Sequence, residues 1–281
     1  MDSAFQMRID PSAFPHFERA RLNRLLTEAA EFPLVVVCAG AGYGKTCAVS
    51  DFVSQYNLPV AWIQFSDRDN LISRAWENFV QAFEQVDEQV AQDFRESGFP
   101  DTENRQNQFY RMHDRGLRKQ QYIVVLDDVH FVKDNTVIDF VERIIYHMPN
   151  SRKTVIFISR EPPQIKLAGL QTRGLVADIH EEDLNFTENE LTQYLSLQGQ
   201  SVEAHILREI WQDTKGWAFA VNFIARSLKK SPNYSGYVKS AMRKNLFQLM
   251  EAEVFNMVSE RLRRFLVSLS LLDHQIGRAH V

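Results

Sequence analysis

Leu34-Val35-Val36-Val37-Cys38-Ala39-Gly40-Ala41-Gly42-Tyr43-Gly44-Lys45-Thr46 joins an apolar run to a glycine-rich turn and a Lys-Thr pair. The pattern predicts a strand, a tight loop and a helix that starts at Lys45. Successive backbone N–H groups can wrap an anionic chain only where side chains leave room, hence the glycines. The helix start adds its positive dipole end at the same point. On this reading Ala39, Gly40, Ala41, Gly42, Tyr43, Gly44, Lys45, Thr46 and Cys47 form a phosphate cradle. Lys45 reaches the β- and γ-phosphates, and the Thr46 hydroxyl ligates Mg²⁺. The general pattern G-x-x-x-x-G-K-[ST] has Gly where this chain has Ala39, and Gly40 and Gly42 are expected to supply the missing freedom. The bland alternative is a glycine-rich turn that binds nothing. A Gly-Lys-Thr set between a strand pattern and a helix pattern argues against it.

Working outward, Val60-Ala61-Trp62-Ile63-Gln64-Phe65 reads as a second strand. Ile72, Ala75, Trp76, Phe79, Val80 and Phe83 then recur at helical spacing. Residues 87–105 are polar and acidic and are read as frayed helix and loop. Residues 122–126 form a third strand, apolar throughout as a central parallel strand should be. Val137, Ile138, Val141, Ile144, Ile145 and Met148 mark another helix. Residues 154–158 and 176–179 read as the fourth and fifth strands. Strands alternating with helices imply an α/β fold with a parallel sheet covered on both faces. The loop would lie at the carboxyl ends of the strands, where such sheets bind ligands. After residue 184 the pattern becomes helical. Thr187 and Glu190 form a capping box, and Trp217, Ala220, Val221, Ile224 and Leu228 form an apolar stripe. The stretch from Ser231 to Gly236 is the best internal linker.

The third strand ends in Asp127-Asp128. A carboxylate at the tip of an apolar strand is costly unless it holds a cation or a hydrogen-bond partner. Beside a phosphate loop, Asp127 is expected to hold Mg²⁺ and Asp128 to polarise an attacking water. The alternative is a pair of helix caps. Ser159-Arg160 ends the fourth strand in the same way, and Arg160 is read as a γ-phosphate sensor. Arg173 is divided between phosphate contact and loop anchoring. Trp217 is divided between core and a cover for the base. His130 is read as a hydrogen-bonding loop residue outside the catalytic set.

The 281 residues include 44% hydrophobic and 24% charged side chains, with a net charge of −4. No Lys/Arg run marks a nucleic-acid surface, and no apolar run approaches the about 20 residues that span a bilayer. A cytoplasmic chain with no membrane partner is expected. Cys38 and Cys47, the only cysteines, are read as reduced core thiols, with the helix start and Lys45 lowering the Cys47 pKa. The eight histidines carry no metal-ligand spacing, so no zinc site is expected.

These blocks, in this order, resemble the STAND class of signal-transduction ATPases, and within it the maltose-regulator-like (MalT-like), LuxR-associated branch. The resemblance rests on Phe17-Glu18-Arg19-Ala20-Arg21-Leu22 and on the Cys38–Thr46 loop, which in that branch also has Ala at the first position. It continues through Ala61-Trp62 with Asp69-Asn70, Leu126-Asp127-Asp128-Val129-His130 (a Walker B motif) and Ser159-Arg160-Glu161-Pro162-Pro163. It ends with Leu184 to Glu190, Thr214-Lys215-Gly216-Trp217 and the segment from Phe265-Leu266 to Leu271-Leu272-Asp273. Gly40 stands where the branch usually has Pro, and Cys47 where it often has Thr.

The resemblance implies an AAA+/STAND-like P-loop NTPase core at 1–183, a helical lid at 184–230 and an incomplete winged-helix-like segment at 231–275. Residues 276–281 match what a sequencing adapter would encode and are read as a non-native tail. It further implies ATP and ADP as ligands with Mg²⁺, Arg19 near the base or ribose, an ADP-held resting state and an ATP-bound state that self-associates. DNA would be bound only through a C-terminal domain outside this chain. The rival expectations are an ATP-dependent phosphotransferase and a scaffold that holds nucleotide without hydrolysing it.

Overall fold

A computed structural model describes residues 16–117, 121–147, 154–163 and 165–230, together with 234, 238–240, 244 and 264. In chain order, α1 (Ala20–Ala29) leads into β1 (Leu34–Cys38), and α2 (Lys45–Ser54) follows the glycine-rich turn. β2 (Val60–Gln64) precedes α3 (Ile72–Glu84), α4 (Glu88–Ser97) and α5 (Glu103–Leu117). β3 (Ile123–Asp127), α6 (Asn135–His147), β4 (Thr154–Ser159), α7 (Ala168–Thr172) and β5 (Val176–Ile179) complete the α/β part. α8 (Glu181–Leu184), α9 (Glu188–Leu197), α10 (Ala204–Thr214) and α11 (Ala218–Lys230) follow.

The strands form one sheet in the order β2-β3-β4-β1-β5, and every pairing is parallel. β1 lies between β4 and β5, with Val36 opposite Phe157 and Asp178. Alternate residues serve opposite faces. Val35, Val37, Val125, Ile156 and Ile158 pack with α1 and α2. Leu34, Val36, Val124, Leu126, Val155 and Phe157 pack with α3 to α6. Covered on both sides, the central strands are apolar at nearly every position. Because the strands are parallel, their carboxyl ends share one edge, and the tips of β1, β3 and β4 meet there.

The segment read as frayed helix and loop is two ordered helices. Val90, Ala91 and Phe94 on α4, and Phe109, His113 and Leu117 on α5, are buried. They enclose Trp76 and Phe79, whose ring centroids lie 6.2 and 6.1 Å from that of Phe94. Few apolar residues suffice because several are aromatic, each burying a large area. Asp87 caps α4 by accepting from the Val90 N–H at 2.9 Å. Ile72, placed on the buried stripe of α3, is 37% exposed. It is the first residue of the helix, where the stripe has not yet reached the sheet.

The helical part has its own core of Phe186, Leu191, Leu195, Ile210, Val221 and Ile224, with Tyr234 and Val238. Leu184 packs with the sheet and Phe186 with the helices, so the chain changes core across Asn185. Thr187 and Glu190 form the capping box that opens α9. Most of the expected winged-helix-like segment, and all of the tail at 276–281, lie outside the described residues.

Candidate functional site

The turn after β1 takes its shape from Gly42 and Gly44, whose φ values are 77° and 78°. An L side chain rarely adopts such values. Gly40 has no positive φ, so the conformational freedom expected of Gly40 belongs to Gly44 instead. Ala39 prolongs the β1–β4 pairing, its N–H donating to Ser159 O at 3.3 Å, and a residue in that role has no need to be glycine. Lys45, at the helix start, is 7% exposed, and its Nζ donates to Ala39 O at 2.7 Å and Gly40 O at 2.9 Å. Burial pulls its ammonium below the ordinary lysine range, and Arg160 adds to this while Asp128 and Asp127 oppose it. A desolvated cation lying across its own loop is a site for an anion.

Thr46 turns toward β3 and donates to Asp127 Oδ2 at 3.1 Å. Asp127 is fully buried, and burial together with Asp128 pushes its carboxyl up to about 6, against the hydroxyl bond and Lys45. A buried carboxylate and a hydroxyl, both oxygen donors, fit a hard divalent cation that keeps most of its water. Asp128 sits at φ 59°, in the left-handed region that Asp tolerates better than most residues. There its carboxyl lies 3.4 Å from Gln64 Nε2 and 3.8 Å from His130 Nδ1. Both ring nitrogens of His130 are buried without a hydrogen-bond partner among the described residues, which the sequence reading of a hydrogen-bonding loop residue did not anticipate. Burial lowers its pKa, which Asp128 opposes.

Arg160 follows Ser159 at the tip of β4, its guanidinium 5.8 Å from the Phe131 ring centroid and its charge felt by both Lys45 and His130. Lys45, Thr46, Asp127, Asp128 and Arg160 therefore share one edge of the sheet. Arg173 does not. It precedes β5, and the nearby Leu175 O accepts from Leu34 N at the start of β1. In a parallel sheet this is the edge opposite the loop, and Arg173 caps α7 there, its N–H donating to Leu170 O at 3.2 Å.

The helical part sits directly on the loop. Trp217 Nε1 donates to Ala41 O at 3.1 Å, and Phe219 N donates to Gly42 O at 2.9 Å. The Trp217 and Tyr43 rings lie 6.2 Å apart. A Cβ on Gly42 would come within 2.8 Å of Phe219 Cβ. Trp217 is half-buried and covers the loop, so it is neither a plain core residue nor exposed. It is set by Gly216, whose φ is 78° and whose Cβ position lies 2.2 Å from Phe186 O, so only glycine fits. Glu181 Oε1 accepts from Gly40 N at 3.0 Å, placing a carboxylate on the cradle. Sequence reasoning missed Glu181 and Phe219, because no spacing links them to a loop more than a hundred residues away.

Arg19 is placed at the seam of the two cores. Its guanidinium donates to Leu184 O at 2.7 Å, to Asn185 O at 2.6 Å and to Glu190 Oε2 at 3.0 Å, and lies 4.1 Å from the Phe186 ring centroid. These partners make it a strap between α1 and α9. Cys38 and Cys47 are free thiols. Cys47 belongs to no core. The residue is exposed, yet packing around its sulfur, with Asp51 and Asp127, holds the thiol above its ordinary pKa. The expected lowering by the helix start does not occur.

No protein-family model matches the chain. It is 28% identical over 268 residues to the HTH-type transcriptional regulator MalT of Klebsiella pneumoniae, covering 90% of this chain and 29% of that protein. It is 25% identical over 272 residues to MalT of Vibrio cholerae, covering 91% of this chain and 29% of that protein. The chain thus spans less than a third of the length of the curated relatives it matches. Among solved structures it resembles the Walker-type ATPase PABY2304 of Pyrococcus abyssi, with TM-score 0.56 and 13% identity over 89% of this chain and 76% of that one. It also resembles the ORC1 protein of Aeropyrum pernix, solved in complex with DNA, with TM-score 0.50 and 16% identity over 92% of this chain and 73% of that one. Among the described residues no helix is long and apolar enough to cross a membrane. The parallel sheet and the phosphate loop give this chain a P-loop NTPase, AAA+-like fold, and over 90% of its length its sequence is similar to that of the MalT regulators.

Proposed function

We propose that the chain is the ATP-binding, slowly hydrolysing switch of a bacterial LuxR-family, MalT-like transcriptional regulator. ADP would hold a resting state and ATP an active state that self-associates. The observation that carries this reading is the contact of Trp217 and Phe219 with the carbonyls of Ala41 and Gly42. A ligand shifts a conformational equilibrium only through different contacts in the two states. A lid resting on the phosphate loop supplies such contacts, because filling the loop must alter them.

In this reading the loop amides and Lys45 bind the phosphates. Thr46 and Asp127 would hold Mg²⁺, which would supply positive charge beside the phosphate oxygens. Asp128 orients the attacking water and takes up its proton, and Arg160 offsets charge that grows on the γ-phosphate. Hydrolysis then resets the switch, so slow turnover is sufficient. The relatives are transcriptional regulators, which supports a cytoplasmic setting and DNA binding through a region outside this chain.

Lys45→Ala should remove ATP affinity, and Asp128→Asn should keep affinity and stop phosphate release. Normal hydrolysis in both variants would sink the assignment. Transfer of phosphate to a second molecule would point to a phosphotransferase, and nucleotide binding without any release to a scaffold.

A further inference from the structure

The carboxyl-terminal ends of α5 and α6 carry a second cluster of metal-ligating side chains, away from the phosphate loop. His113 and Asp114 lie in the last turns of α5, and His147 is the last residue of α6. His113 Nδ1 is 3.0 Å from Asp114 Oδ1, and His147 Nε2 is 3.4 Å from the same oxygen. One ligand atom from each of the three residues lies within 4.8 Å of the other two. Ligands about 2.1 Å from a tetrahedral zinc ion sit about 3.4 Å from one another, so the His147–Asp114 edge already has that length and the His113–Asp114 edge would open slightly from its hydrogen-bond distance.

The rings are held in place from behind. His113 is fully buried, and its Nε2 hydrogen-bonds the phenol of Tyr122, itself buried just before β3. Without metal the Nδ1–H faces the Asp114 carboxylate, and binding an ion through Nδ1 would move the ring proton to Nε2, where the Tyr122 oxygen can accept it. An imidazole bound to metal through one nitrogen and tied to an oxygen through the other is the usual arrangement of a metal-ligating histidine. Tyr110 stacks on His147 with centroids 3.9 Å apart, which fixes the second ring. Solvent reaches the cluster past Asp114, which is 56% exposed, and His147, which is 31% exposed. Two helix carboxyl ends meet at this point, and their negative dipole ends favour a cation.

We propose that His113, Asp114 and His147 bind one Zn²⁺-class transition metal ion, with water completing the shell, and that the ion staples α5 to α6. The expectation from sequence spacing was no zinc site. The ligands come from segments 33 residues apart, and only the packing of α5 on α6 unites them. Two imidazoles and one carboxylate select a borderline metal such as zinc over Mg²⁺ or Ca²⁺, which prefer an all-oxygen shell.

The test titrates the whole, chelator-stripped chain with Zn²⁺ and with Co²⁺ by calorimetry and visible absorption. The background is Asp127→Asn, so that metal bound beside Thr46 does not contribute. The expected result is one ion per chain, a tetrahedral Co²⁺ spectrum and a higher thermal midpoint with Zn²⁺. His147→Ala, at a half-buried position, and Asp114→Ala, at an exposed one, should keep the circular dichroism of the parent and weaken the metal at least about tenfold. No metal uptake by the folded chain would overturn the proposal and leave a hydrogen-bonded His-Asp-His cluster. So would Zn²⁺ binding of undiminished strength in both variants. Neither result touches the nucleotide site, which Lys45→Ala tests separately.

Discussion

Trp217 donates its indole N–H to the carbonyl of Ala41 at 3.1 Å, across 176 residues of chain. A residue from the helical part is therefore fixed to the glycine-rich loop. Intrinsic fluorescence should change when ATP binds, and Trp217→Phe should remove most of the change, with Trp62, Trp76 and Trp211 still present. A Trp217→Phe protein that keeps the full signal would show that the lid does not sense the loop.

The Arg19–Glu190 pair is the strap between the two cores, with side chains 11% and 10% exposed. Burial raises the Glu190 pKa, but the Arg19 hydrogen bond and the Thr187 N–H outweigh it, so the net value falls below 4.5. A depressed acid stabilises the fold above its unfolded value and loses that contribution as pH falls through its folded value. Glu190→Ala should cost about 3 kcal/mol near neutral pH, since it also leaves a buried Arg19 unpaired. The difference from the parent should narrow as pH drops below 4.5. Chemical denaturation at several pH values measures it.

Asp127 has the opposite sign. Its folded value of about 6 stands above the ordinary 3.8, so its contribution is complete below 3.8 and is lost as pH rises through 6. In the metal-free protein Asp127→Asn should therefore raise stability at neutral to alkaline pH by about 2 kcal/mol. It should bring little gain near pH 4, and it should abolish the Mg²⁺ dependence of nucleotide affinity. A variant less stable than the parent at high pH would contradict this.

Glu181 holds the Gly40 N–H with a carboxylate. Glu181→Ala frees the Gly40 N–H for the ligand and removes the negative charge from the cradle, and should tighten ATP binding about fivefold, the worth of about one net hydrogen bond. Calorimetric titration of this variant with ATP decides it, and weaker binding would refute competition for the loop.

The sheet was legible because β1, β3 and β4 are apolar on both faces, and the loop because its glycines and Lys-Thr pair stand directly after β1. Asp127 and Arg160 could be placed because parallel strands bring successive tips to one edge. The helices at 88–117 were hidden by their polar exteriors, since Phe94 and Phe109 are too sparse to set a clear period. Arg173 was left divided because its residue type fits a phosphate, whereas only the sheet order shows that its position before β5 lies on the far edge. Glu181, Phe219 and the cluster of His113, Asp114 and His147 depend on contacts between distant segments, which local patterns do not encode.

β5 is hydrogen-bonded to β1, and α8 begins two residues after β5 ends. The strand that delivers the phosphate loop and the strand that leads into the helical part are thus neighbours in one ladder. Glu181 touches the loop directly through the Gly40 N–H. The path from β5 to that contact is two peptide units long, so a ligand that drew the Gly40 N–H away from Glu181 would be felt at the root of the helical part with no side chain in between.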